Sequence, residues 1–259
     1  MLPKEELLKR VENREEVAKI LDKAEKALKT WELVITDFVS PAVLAEIERL
    51  FSNLTEVKLI SWGGYATAER QRIGIFRQEM EADINQIPLV ALDIAGNFLF
   101  DTATHRDFLG AILATGIVRD KVGDIIVLGE RGAQVIVTPE IAEFLETSLT
   151  RVRSVPVTVS RIELSQLKVS PPKTKTMTTV EASCRLDAVA SFGFGISRSK
   201  MASAIVNGDV RVNWKEVTQP SYNLRVGDLV SFRGKGRLQI DNIEVTKRER
   251  YRISLTRFV

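Results

Sequence analysis

Arg198 and Lys200 follow Ser197, a favoured helix N-cap residue, and of all the side chains in the sequence this pair most directly suggests chemistry. A helix beginning there offers free backbone N–H groups and roughly half a positive charge in its first turn. Two cations at that end oppose the helix dipole by a few tenths of a kcal/mol. A bound phosphate reverses the penalty, because amides, hydroxyl and cations then act together on one anion. The bland alternative is two exposed side chains extended into water. More cations lie around the pair: Arg185 ahead of it, Arg211 and Lys215 behind it with the polar amide Asn213 between them, then the glycine-spaced run Arg233, Lys235 and Arg237. Lysine and arginine neutralise phosphates and release counterions, so such a set implies salt-sensitive binding to a nucleic-acid backbone. The stretch has no long aromatic platform for single strands. The expected partner is therefore folded RNA, read through phosphates and 2′-hydroxyls, and not DNA.

These residues need a scaffold. Residues 185–192 read as a short helix, broken by Gly193 and Gly195, and 198–206 as a second helix closed by Asn207 and Gly208. Val210, Val212 and Trp214 then alternate with Arg211, Asn213 and Lys215, which predicts one strand with an apolar and a basic face. Gly227 and Asp228 form a turn before a strand at 229–232. Leu186, Val189, Ile205, Val210 and Val212 are core positions.

Upstream, a helical period runs over 4–31, with Asn13 able to interrupt it. A helix fits 41–51, with Ser40 as N-cap and Pro41 first inside. Strands fit 57–62 and 73–76, with Gly63 and Gly64 as a turn. Then come a strand at 89–94, a helix at 104–115, strands at 124–128 and 133–137, a helix at 139–148 and a strand at 155–160. That β-α-β-β-α-β order predicts a ferredoxin-like or RRM-like split βαβ domain. Its central strands, DIIVLG and AQVIVT, carry no aromatic residue to stack a base, so this sheet is not expected to read RNA. Residues 168–179, with two prolines, three lysines and four threonines, have linker composition. The expected fold class is α+β: an N-terminal α/β region over 1–82, the ferredoxin/RRM-like domain over 83–165, a linker over 166–182, and a C-terminal module with an extension over 183–259.

Composition sets bounds. The 259 residues are 44% hydrophobic and 27% charged, ordinary for a globular protein of two or three domains. The net charge of +3 hides an asymmetry. Residues 1–150 hold 17 Lys and Arg against 25 Asp and Glu, a balance of −8, and the rest hold 20 against 9, a balance of +11. The basic half again points to a polyanion. With no long apolar run and no signal-type N-terminus, a cytoplasmic monomer without membrane insertion is expected. One cysteine, Cys184, and one histidine, His105, exclude an intrachain disulfide and the usual zinc ligand sets. Cys184 reads as a buried thiol. No metal, cofactor or catalytic residue is expected. Arg70, Arg72, His105 and Arg106 are weaker contact candidates, with surface ion pairs and a helix start as the bland alternatives.

The run RLDAVASFGFGISRSKMASAIVNGDVRVNWKEV, continued by LRVGDLVSFRGKGR, resembles the S4 RNA-binding domain. The resemblance implies a basic face on two helices and carries over Arg185, Ser197, Arg198, Lys200, Arg211 and Asn213 as RNA contacts. Lys215, Arg233, Lys235 and Arg237 are added from charge and spacing. Upstream, GGYATAERQRIGIF, THRDFLGAILATGIVRDKVGDIIVLGERGAQVIV and LETSLTRVRSVPV resemble the bacterial YlmH family. That implies a non-catalytic protein on the large ribosomal subunit, holding ribosomal RNA and peptidyl-tRNA during quality control. The chain also resembles the photosynthetic branch of the family, labelled photosystem II S4 domain protein, which would imply a biogenesis role acting through RNA. A competing reading is an RNA-modifying enzyme of pseudouridine-synthase type, with Asp187 as its aspartate, although Asp187 lies in the first helix of the module and reads as structural.

Overall fold

The structure, a computed structural model, describes residues 2–9, 11–171 and 173–258. Arg10, inside the expected first helix, and Pro172, inside the expected linker, lie outside the described residues. The chain divides into two compact units, 1–169 and 170–259.

In the first unit, α1 (Lys4–Leu8) and α2 (Arg14–Thr30) are separated at Asn13, as the pattern predicts. Trp31 ends α2 in a left-handed conformation. Strand β1 (Val34–Val39) leads into α3 (Pro41–Phe51), where Ser40 accepts a hydrogen bond from the Val43 amide. Strands β2 (Val57–Trp62) and β3 (Gln71–Arg77) complete an antiparallel sheet of order β1-β3-β2. Val17, Ile20, Leu21, Val43 and Ile47 pack with Ile73 and Ile75 in its core. β1 is absent from the sequence reading for a physical reason. Its centre is the buried Thr36, whose hydroxyl accepts from the Ile73 amide, and its register shifts between Ile35 and Phe38. A buried polar residue and a bulge together erase the period-two signal.

The same unit continues with β4 (Val90–Ala95), α4 (His105–Ala114), β5 (Val122–Val127), β6 (Gly132–Val137) and α5 (Pro139–Ser148). A small hairpin of β7 (Arg151–Val152) and β8 (Val155–Pro156) precedes β9 (Thr158–Ile162). The order β5-β6-β4-β9 with antiparallel neighbours is the split βαβ topology that the element order predicts. Leu92, Val135 and Val137 pack beneath Phe108, Ile112 and Leu145 of the helices. The opposite face is covered as well. A Cβ on Gly64 would lie 3.0 Å from Ile136 and 3.3 Å from Leu164, and one on Gly123 would lie 2.7 Å from the Phe38 ring. Gln134, 2% exposed, accepts from the Lys168 amide at 2.7 Å. The face on which an RNA-binding sheet of this topology stacks bases is thus closed by its own chain. Residues 166–168, expected in the linker, pack on this sheet instead.

The second unit begins with β10 (Thr174–Glu181), followed by α6 (Leu186–Phe194), α7 (Arg198–Val206), β11 (Val210–Val212) and β12 (Lys215–Glu216). Strands β13 (Leu229–Phe232), β14 (Gly236–Val245) and β15 (Tyr251–Phe258) complete a six-stranded sheet of order β10-β15-β14-β13-β11-β12. Residues 174–181, which composition marks as linker, are therefore an edge strand paired along its whole length with β15. Alternating Met177 and Thr179 face the core, and threonine suits a half-buried strand. Leu186, Val189, Phe194, Met201 and Ile205 pack on Val210, Val230, Leu238, Ile240, Ile253 and Leu255. Gly193 does not break α6. It lies inside the helix, where a Cβ would meet Leu238 at 2.4 Å, so its role is close helix–sheet approach. Gly195, with φ of +67°, ends the helix.

Candidate nucleic-acid interface

α6 starts at Leu186, and its first amides are held from outside the helix. Leu186 N–H donates to the Tyr222 carbonyl at 2.7 Å, and Asp187 N–H donates to the Pro220 carbonyl at 3.0 Å. This places Asp187 in the first turn, where the helix dipole favours a carboxylate. The side chain of Asp187 is 6% exposed and is gripped by two arginines. Arg185 donates from Nε to Oδ1 and from Nη2 to Oδ2, both at 3.0 Å. Arg198 donates from Nε to Oδ2 at 3.1 Å and from Nη2 to Oδ1 at 3.2 Å. Each carboxylate oxygen thus accepts from both guanidiniums, in two bidentate forks. Burial alone would raise the Asp187 carboxyl, but the hydrogen bonds from Arg185 and Arg198 outweigh it and hold it below the usual carboxylate range. The Arg185 guanidinium is pushed up, first by its bond to Asp187.

The guanidiniums themselves remain open, with side-chain exposures of 37% for Arg185 and 57% for Arg198. Among the described residues neither has another hydrogen-bond partner, so each keeps three N–H groups of its five for a ligand. Ser197 caps α7 as predicted, accepting from the Lys200 amide at 3.3 Å, and its hydroxyl lies 3.2 Å from that of Ser199. No acidic residue occupies the first turn of α7. Lys200 is exposed and has no acidic partner among the described residues. Arg185, Ser197, Arg198 and Lys200 therefore share one end of the helix pair, around a single neutralising carboxylate.

The other sequence candidates lie elsewhere. β11 ends at Val212, and Asn213 and Trp214 have φ of 50° and 68°, a tight two-residue turn into β12 rather than a continuing strand. The Asn213 amide nitrogen donates to Asp228 Oδ1 at 2.8 Å, and its oxygen accepts from the Leu229 amide at 2.9 Å. Its side chain is spent on the turn. Strand register puts Arg211 and Arg237 on the sheet face opposite the helices, because Arg211 pairs with Ser231 and Ser231 with Arg237. Arg237 lies 5.9 Å over the Trp214 ring and 5.7 Å over Phe258. Lys215 is exposed on the edge strand, and Arg233 and Lys235 are exposed in the turn between β13 and β14. The ten candidates thus divide between the helix side, the outer sheet face, the edge strand and two turns. The aromatic neighbours Trp214 and Phe258 of Arg237 are not apparent from the sequence, since Phe258 lies on a strand distant in the chain. Asp187, a structural residue by its place in the first helix, also joins two of the expected contacts. That pairing spans two helices and leaves no local spacing signal.

The weaker candidates in the first unit are mostly internal ties. Arg72 is 6% exposed and donates to the Thr36 and Pro88 carbonyls. Arg70 donates to the Val122 and Phe38 carbonyls, and Asp124 accepts from Tyr65 Oη and from the Glu69 and Arg70 amides. Burial, with Arg70 nearby, lowers Arg119 to about 10, and burial followed by Arg119 lowers His105. Arg106 is exposed. Cys184 is half-buried, and burial pushes its thiol up.

Three domain families match the chain in order. Residues 12–80 match "YlmH, N-terminal", residues 83–166 match "Putative RNA-binding domain in YlmH", and residues 184–230 match the S4 domain. Over 228 residues the chain is 32% identical to the ribosome-associated protein quality control protein P2 of Bacillus subtilis strain 168, covering 88% of each chain. The chain belongs to the YlmH family. The chain is also 41% identical over 58 residues to the small ribosomal subunit protein uS4 of Pseudomonas syringae pv. tomato, covering 22% of this chain and 28% of that one. Within the YlmH family, the solved cell division protein ylmH from Streptococcus pneumoniae shares the fold, with a TM-score of 0.53 at 20% identity over 62% of this chain and 96% of that chain. The S4 match stops at residue 230, so β14 and β15, and β10 ahead of it, extend the matched segment into the six-stranded sheet. Among the described residues, no helix is long and apolar enough to cross a membrane.

Proposed function

We propose that this YlmH-family chain is a non-catalytic RNA-binding protein that docks, through the helix side of its S4 module, on folded RNA of the large ribosomal subunit. It works in the cytoplasm in ribosome-associated quality control, with tRNA as a second RNA partner. The observation that carries the reading is the pair of open guanidiniums, Arg185 and Arg198, fixed on buried Asp187 beside exposed Lys200. Arginine forks match the geometry of phosphate oxygens, and two of them with a lysine make a backbone-binding face. The ribosome association in the name of the Bacillus relative supports the choice of ribosomal RNA. The covered face of the β5-β6-β4-β9 sheet supports assigning the contact to the S4 module rather than to that sheet. Asp187, the residue on which an RNA-modifying reading would rest, has both oxygens engaged by arginines, which favours a binding role over a catalytic one.

Co-sedimentation of the full chain with separated ribosomal subunits across a salt series tests the proposal. Association with the large subunit that weakens steeply with salt is expected. Association with neither subunit, or with the small subunit alone, contradicts it.

A further inference from the structure

We infer that Asp187 is a positioning residue for RNA binding: one buried carboxylate holds Arg185 and Arg198 as a preformed double donor for a backbone phosphate group. This inference rests on the RNA-binding reading above and extends it to a residue that cannot itself attract RNA. Asp187 is negative and nearly buried, so it repels a phosphate and offers it no contact. Its backbone is fixed by the Pro220 carbonyl, and its two oxygens fix both guanidiniums by two-point forks. A free arginine side chain loses rotamer freedom when it binds, whereas one already anchored has lost it on folding. Because both forks use the same two oxygens, the guanidiniums stand a single carboxylate apart, with the remaining N–H groups of each available. The local charge of the trio is +1, enough to attract one anionic group while each arginine keeps its orientation.

Positioning and plain electrostatics predict opposite signs for Asp187→Asn. Removing the negative charge makes the module more basic, so electrostatics alone predicts tighter binding. Loss of the anchor predicts weaker binding, about tenfold if two rotamer-rich side chains must be ordered at the moment of contact. The test measures the affinity of the full chain for purified large-subunit ribosomal RNA by filter binding at fixed salt, with thermal melts of each variant. Asp187→Asn is expected to bind about tenfold more weakly. The loss should vanish in an Arg185→Lys/Arg198→Lys background, where no two-point fork exists. Equal or tighter binding by Asp187→Asn overturns the inference, and so does an equal loss in the lysine background, which would assign Asp187 to folding alone. If Asp187→Asn does not fold, the charge-conserving Asp187→Glu variant, which moves the carboxylate by one methylene and leaves both arginines in place, decides: weaker binding supports positioning, and unchanged binding overturns it. Absence of binding by the wild-type chain overturns the RNA-binding reading as well. Binding by wild type with an unweakened Asp187→Asn overturns only the positioning role.

Discussion

Arg198 reaches back from the first turn of α7 to Asp187 in the first turn of α6, donating Nε to Oδ2 at 3.1 Å and Nη2 to Oδ1 at 3.2 Å. The bond ties the two helix starts together and turns an unfavourable cation at a helix N-terminus into half of an ion pair. It also separates Arg198 from Lys200, which the sequence presents as equivalent exposed cations.

Lys200→Glu is expected to act on binding alone. The residue is exposed and has no acidic partner among the described residues, so its replacement should change stability by less than about 0.5 kcal/mol. RNA affinity should fall at all sequences alike, and the slope of log affinity against log salt should become shallower by about one. Filter binding over a salt series with a parallel thermal melt reads both quantities.

Arg198→Glu should damage fold and binding together. It sets a second carboxylate against Asp187, whose side chain is 6% exposed. Arg198 is 57% exposed and Arg185 keeps its fork, so the cost should be about 1–2 kcal/mol, below that of breaking a fully buried pair. Urea denaturation of the full chain measures it. A variant as stable as wild type would show that the pair contributes nothing.

Strands β14 and β15 should be required for the S4 module to fold. They supply Leu238, Ile240, Ile253 and Leu255, all 1% exposed or less, to the core beneath α6. Leu255→Ala is expected to cost about 2–5 kcal/mol. A chain ended at residue 233 should lose the module's dispersed amide resonances, which a nuclear magnetic resonance spectrum would reveal. Retained dispersion would mean that the family-matched segment folds without its added strands.

Acid should weaken the module through Asp187. Its folded pKa lies below the usual carboxylate value of about 3.9, so between the two values the unfolded state binds more protons. The contribution to stability is fully present above that ordinary value and is lost as pH falls through the lower folded one. Core methyl resonances of the module followed in denaturant should report flat stability from about pH 5 to 8 and a decline below about pH 4. Asp187→Asn should be weaker at neutral pH and show a smaller acid decline.

Much of the scaffold is legible from the residues themselves. α3 is announced by Ser40 and Pro41, α5 by Pro139, and the α1–α2 break by Asn13, because caps and breakers act locally. What is not legible depends on distant partners. β10 looks like a linker until β15 pairs with it, and β14 loses its alternation at the bulge between Ile240 and Asn242. Val210 to Lys215 alternate like one strand, yet Asn213 and Trp214 both take left-handed conformations and fold the run into a hairpin. In the site, residue types and helix starts pick out Arg185, Ser197, Arg198 and Lys200. The carboxylate that joins two of them, and the sheet register that sends Arg211 and Arg237 to the opposite face, arise only from tertiary packing.

The most direct test of the central claim is ultraviolet crosslinking of the full chain to purified large-subunit ribosomal RNA, followed by mass spectrometry of the crosslinked peptides. The account predicts crosslinks concentrated in residues 185–200. Crosslinks confined to the outer sheet face around Trp214 and Arg237, or to the first unit, with none in 185–200, would contradict it.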